Sequence, residues 1–195
     1  MVRRPGTADL ERKALVRRVI VSNLMSLDGY LEGPQRQLDW HLVDDEFFAY
    51  AAEMLRSVDT ILFGRTTYEM MAAYWPHAPQ DEIADRMNGL AKIVFSRTLA
   101  AADWNNTTLV RGDAAAEVRR LKLLPGVDMV VLGSGALASS LLRAGLVDEY
   151  RVILNPVVLG SGNPLFQNFH DRMKFKLADL RRFHSGVVLL AYHPM

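Results

Sequence analysis

The chain has 195 residues, half of them hydrophobic, and its 23 basic and 22 acidic side chains leave a net charge of +1. No global field therefore draws it to nucleic acid or to an anionic membrane, so any anion site has to be local. There is no cysteine, which excludes disulfides, thiolate zinc sites and cysteine nucleophiles and fits a reducing compartment.

No apolar run approaches the roughly eighteen residues of a spanning helix, and the first residues lack the apolar stretch of a secretory signal. A cytoplasmic protein with no membrane partner is expected. Residues 1–17 carry Arg3, Arg4, Arg12, Lys13 and Arg17 around Pro5-Gly6 and read as a solvated basic tail. The remainder, 18–195, shows no linker or repeat and reads as one domain.

In chain order, Arg18–Met25 is strand-like, and Asp28-Gly29 and Gly33-Pro34 follow as turns. From Asp44 to Val58, the apolar set Phe47, Phe48, Ala51, Met54, Leu55 and Val58 recurs at helical spacing behind an acidic first turn. Thr60–Phe63 reads as a buried strand, and the helix after it is stopped by Pro76. Lys92–Ser96 and Thr107–Val110 read as strands, and Asp113 caps a helix over Ala114–Leu124. Val130–Leu142 supplies another strand and helix, with Gly145 as its stop. Three strand candidates close the chain, two of them joined by a hairpin turn at His184-Ser185-Gly186. This pattern predicts an α/β fold: a mixed, mostly parallel sheet with helices on both faces and an antiparallel C-terminal strand pair.

Three strand ends are suited to anions. At Gly64, Arg65 and Thr66, and again at Gly133 to Leu137, a strand runs through glycine into a helix start, where unpaired amides and the positive dipole end favour a phosphate. Ser96 and Arg97 end a third strand with a hydroxyl and a cation. Each segment alone also serves as a turn or a solvated loop. Gly133, Gly135 and Ala138 match the dinucleotide pattern, but late in the chain and without the acidic residue about twenty positions on, so an ordinary Rossmann reading fails. Three such ends on parallel strands suit one ligand with several phosphates, and arginine's planar fork suits a 2′-phosphate, hence NADPH rather than NADH.

These segments, GRTTYE, FSR, LGSGAL and NPVVLGSGNPLF, in this order resemble the dihydrofolate reductase-like fold. Within it they are similar to the reductase domain of riboflavin biosynthesis, the RibD C-terminal domain family. The resemblance covers about Val19 to the C-terminus. It implies that Gly64, Arg65 and Thr66 bind adenosine-side phosphates, Ser96 and Arg97 the 2′-phosphate, and Gly133, Ser134, Gly135, Ala136 and Leu137 the pyrophosphate. It also implies a homodimer.

On the substrate side, WHLVDD resembles the W-x-L-P-x-D segment of dihydrofolate reductases, which puts Asp45 on the substrate carboxylate and Trp40 on its aromatic neighbour. Asp28 matches the S-x-D-G of the riboflavin-type reductases. An acid in a first helical turn, or an Asp-Gly turn, needs no ligand to explain it. Tyr74, Trp75 and Phe166 are candidates to stack on a flat heterocycle.

The departures argue against folate. Leu90 stands where folate reductases carry an arginine, Ala49 where they present a phenylalanine, and Val43 where they have proline. Without cysteine the chain also lacks the zinc deaminase signature that accompanies many riboflavin-type reductases. The five histidines show no metal-ligand spacing and read as surface or core residues, with no metal site. The expected function is an NADPH-dependent reductase of a small heterocyclic, pterin- or pyrimidine-like, or carbonyl substrate. Reduction of the ribosylamino-pyrimidine phosphate of riboflavin synthesis is the specific alternative, with Arg36 as its one candidate phosphate grip. A non-catalytic NADP(H)-binding sensor is the alternative of another class.

Overall fold

A computed structural model of the protein describes residues 16–195, so most of the basic stretch lies outside the described residues. β1 (Val19–Ser26) is the hub of an eight-stranded sheet because both its faces are apolar, as a strand covered on two sides requires. It pairs in parallel with β6 (Asp128–Leu132) on one side and β7 (Glu149–Asn155) on the other. Beyond β6 lie β3 (Val58–Gly64), β4 (Ala91–Phe95) and β5 (Thr107–Val110), all parallel. On the far side of β7, β10 (Val188–Pro194) and β9 (Phe175–Arg182) run antiparallel, giving the order β5-β4-β3-β6-β1-β7-β10-β9. A small ribbon pairs β2 (Tyr30–Glu32) with β8 (Asn163–Pro164).

Strand alternation divides the core in two. Val19, Val21, Leu62, Met129 and Val131 face α4 (Ala114–Lys122) and α5 (Gly135–Arg143) through Val118, Leu121, Leu137, Leu141 and Leu142. Ile20, Ile61, Phe63, Val94 and Val130 face α1 (Asp45–Arg56), α2 (Arg65–Tyr74) and α3 (Glu82–Gly89) through Tyr50, Met54, Leu55, Tyr68 and Met87. Helices therefore cover both faces, as the sequence pattern predicts. Gly145, at φ +66°, closes α5: its amide and that of Leu146 donate to Leu142 and Leu141.

Several boundaries differ. The first helix ends at Arg56, and Val58 begins β3; α4 stops at Lys122, leaving Leu123 79% exposed. Pro76 lies in a short 3-10 turn, Trp75–His77, that extends α2. Arg17, expected in the solvated tail, is buried. It pairs with Asp59 and donates to Thr60 Oγ1 at 2.8 Å and to Val127 O at 2.7 Å, partners that a local charge count cannot reveal.

Candidate functional site

Because β4, β3 and β6 are parallel neighbours, their carboxyl ends open on one edge of the sheet, where ligands of open α/β sheets collect. β3 runs into α2 at Gly64 and β6 into α5 through Gly133 and Ser134. α1, α3 and α4 are each capped by an aspartate, Asp44, Asp81 and Asp113, accepting from the amide three residues on. Among the described residues α2 and α5 carry no side-chain cap, so their first amides are free with the positive end of each dipole.

Those two helix starts line one groove of about 300 Å³, formed by Gly64 to Thr67 and Ser134 to Leu137. Arg36 and Gln167 stand across from them. The loops are braced together: the Gly64 amide donates to Ser134 Oγ at 3.0 Å, and the Ser134 amide donates to Thr67 Oγ1 at 3.1 Å. Ser134 adopts the left-handed conformation at φ 53°, ψ 52°, a strained position for a side-chain-bearing residue. A Cβ on Gly135 would meet Leu31 Cδ2 at 2.8 Å, so glycine leaves the backbone bare beside β2.

Arg65 lies along α2 with Nη1 at 3.2 Å from both carboxylate oxygens of Glu69. Ser96 and Arg97 leave β4 where Phe95 pairs in register with Gly64, hence on the same edge, but outside the residues that line the groove. Ser96 Oγ accepts from the amides of Thr98 and Leu99, and Arg97 is exposed.

The groove shares Leu31, Glu32, Thr67 and Ser134 with a second cavity of about 250 Å³ between the sheet and α1, α2 and α3. Its walls are mostly apolar, with Met54, Leu55, Met70, Met71, Trp75 and Met87 among them. One imidazole enters this lining. His41 packs edge-on to Trp40 with ring centroids 4.3 Å apart, and its Nε2 is buried without a partner among the described residues. Burial holds its pKa down at about 4 against a small opposing effect of Asp39, so the ring is neutral at pH 7. A buried polar atom left unpaired costs about 1–3 kcal/mol.

The candidate acids fall elsewhere. Asp45 is exposed in the first turn of α1 and outside the cavity lining, while Asp44 caps that helix. Asp28 is tied to a loop: it accepts from Ser26 Oγ at 2.7 Å and from the amides of Leu159 and Gly160 at 3.1 and 2.7 Å. Those bonds, Ser26 first, hold its carboxyl below the usual range, which keeps it an anion rather than a proton donor. Trp40 also stands outside the lining, its Nε1 donating to Gln37 O at 3.0 Å.

Of the three stacking candidates, Trp75 lines the cavity, Tyr74 is 58% exposed, and Phe166 packs against Tyr150 and Phe175. Sequence reasoning missed Glu32 and His41, while Thr67 lies in the GRTTYE segment that it singled out as suited to anions. Nothing local separated His41 from the other histidines.

The family model of the RibD C-terminal domain matches residues 17–189. The chain is 35% identical over 181 residues to the uncharacterized protein YyaP of Bacillus subtilis (strain 168), covering 91% of this chain and 95% of that one. It is 28% identical over 178 residues to YwjB of the same organism, covering 89% and 96%. Among solved structures, a putative riboflavin biosynthesis protein from Shewanella sp. PV-4 superposes with a TM-score of 0.70 at 22% identity, covering 91% of this chain and 99% of the other. The diaminohydroxyphosphoribosylaminopyrimidine deaminase/5-amino-6-(5-phosphoribosylamino)uracil reductase from Thermotoga maritima matches with a TM-score of 0.68 at 16% identity. That match covers 94% of this chain but 58% of the other. Both structural matches show the shared fold.

Proposed function

The chain belongs to the RibD C-terminal domain family, and from that premise we propose that it is an NADPH-dependent reductase of a small heterocyclic or carbonyl substrate. The observation that carries this reading is the pairing of two sites. A groove fed by two uncapped helix starts and two arginines opens directly onto a mostly apolar cavity. When bound, NADPH supplies a hydride from its dihydronicotinamide ring. The amides of α2 and α5 would hold its phosphates, Gly64 would let them approach, and Ser134 keeps the two helix starts in register. Arg65 and Arg97, on the same sheet edge, would hold the ribose phosphate. Asp28 and Asp45 stand apart from the cavity, so Glu32 and His41, which line it, become the candidates to exchange a proton with the substrate.

Titration with NADPH and NADH tests the cofactor. Arg65→Ala and Arg97→Ala are expected to weaken NADPH about tenfold or more, through loss of charge-assisted bonds to the extra phosphate, and to leave NADH nearly unchanged. Equal weakening of both overturns the 2′-phosphate assignment. Absorbance loss at the dihydronicotinamide band across pterins, pyrimidines and ketones tests turnover; tight binding with no turnover on any of them would favour a non-catalytic NADP(H) sensor. The homodimer belongs to the same reading and is supported by the edge strand β9, whose Leu177 and Leu180 are 48% and 56% exposed. Sedimentation velocity decides it.

A further inference from the structure

β3, β4 and β5 lie side by side in parallel, and each is followed within two residues by an arginine: Arg65 after Gly64, Arg97 after Phe95, and Arg111 after Val110. Register sets the three strand ends level, since Phe95 pairs with Gly64 on one side and with Val110 on the other. Three cations therefore share one sheet edge. Arg111 belongs to none of the segments that the sequence marks as suited to anions.

The three are held differently. Arg65 pairs with Glu69 on its own helix, and among the described residues no ion pair involves Arg97 or Arg111. Arg111 is instead turned onto backbone: its Nη2 donates to Ala100 O at 2.9 Å and its Nη1 to Arg97 O at 3.4 Å. The shorter bond is the stronger of the two. One planar fork thus spans both ends of the turn from Arg97 to Ala100, and its rigid geometry fixes the separation of the two carbonyls. The Ser96 amide donates to Val110 O at 3.0 Å, so β5 grips this turn through two consecutive residues. Exposed turns without such ties open locally at little cost.

We propose that Arg111 is a positioning residue: by bracing the turn from Arg97 to Ala100 it confines Arg97 to the carboxyl edge of the sheet, and so sets the preference for a dinucleotide carrying a ribose 2′-phosphate over one without. The ligand rests on the NADPH reading given above, whereas the brace does not. Direct contact of Arg111 with the phosphate is the competing role. An arginine that grips a phosphate with both arms uses the same two nitrogens that here face carbonyls.

Arg111 is exposed, so Arg111→Met keeps the length of the stem and removes the fork without disturbing the core. The full chain, Arg111→Met, Arg97→Ala and the double variant are titrated calorimetrically with NADPH and NADH, and amide exchange at Thr98 and Leu99, whose amides donate to Ser96 Oγ, is followed without nucleotide. Arg111→Met is expected to accelerate that exchange about fivefold, to weaken NADPH by about the same factor and to leave NADH unchanged. It is expected to add nothing once Arg97 is gone, because it acts through that residue. Arg111→Lys, able to reach one carbonyl, is expected to restore part of both effects. Unchanged exchange, equal weakening of NADPH and NADH, or a full further loss in the double variant overturns the proposal; the last would make Arg111 a direct phosphate ligand. Exchange accelerated as expected in a protein whose NADPH affinity ignores Arg97→Ala supports the brace and ends the 2′-phosphate reading.

Discussion

Gly64 and Ser134, seventy residues apart, are joined by a hydrogen bond of 3.0 Å from the glycine amide to the serine hydroxyl. This bond spans the two helix starts and fixes the width of the groove between them. Ser134 accepts it from a left-handed backbone conformation, so one residue carries both the brace and the strain.

Two substitutions separate these roles. Ser134→Ala removes the acceptor and keeps the strain, and is expected to destabilise the protein by about 1 kcal/mol and to weaken NADPH. Ser134→Gly removes the same acceptor but relieves a left-handed penalty of about 1–2 kcal/mol, so its urea midpoint is expected to return close to the parent's. A glycine variant no more stable than the alanine variant would show that the backbone at Ser134 is unstrained.

Gly64→Ala probes phosphate approach without a folding penalty. The residue has φ −81°, and an added Cβ would make only ordinary contacts, the nearest 3.7 Å from Ser134 Oγ. Melting temperature is expected to stay within a degree or two, while NADPH affinity falls about tenfold from the methyl group beside the cofactor. Unchanged affinity would place the phosphates elsewhere.

His41 gives the native state a specific acid sensitivity. Its folded pKa of about 4 lies below the ordinary 6.5, so between these values the unfolded chain binds more protons. The stability it contributes is complete above pH 6.5 and is lost as the pH falls toward 4. In urea titrations at pH 7 and 4.5, His41→Phe is expected to lose less stability than the parent over that interval. Equal losses would mean that the imidazole is solvated in the folded protein.

Asp28 clamps the loop at Leu159 and Gly160. Asp28→Asn keeps one acceptor and presents an amide to the other donor, so amide exchange at residues 157–162 is expected to accelerate. Abolished turnover with unchanged exchange would instead assign Asp28 a direct role in the chemistry.

Much of the sheet was legible because β3, β4 and β6 are short continuous apolar runs, each ending in glycine or serine, and because Asp44 and Asp113 precede amphipathic helices. α3 escaped detection: among its eight residues only Ala84 and Met87 are buried, too few to set a period. The β2–β8 ribbon pairs residues more than 130 positions apart, which no local pattern encodes. The groove was readable from its glycines, since conformational need and phosphate approach leave the same mark. The cavity was not. His41 owes its buried nitrogen to elements remote in the chain, and Asp45 stands exposed in the first turn of α1, away from the residues that line the cavity.

β1 emerges first among the described strands, yet Val19 waits for Met129, 110 residues later, before its first neighbour in the sheet exists. Any nascent chain shorter than that lacks the partner that orders its centre, and its apolar strands stay unprotected meanwhile. Assembly of the groove between α2 and α5 is therefore among the last events of folding, and chains cut before β6 are expected to aggregate rather than to persist.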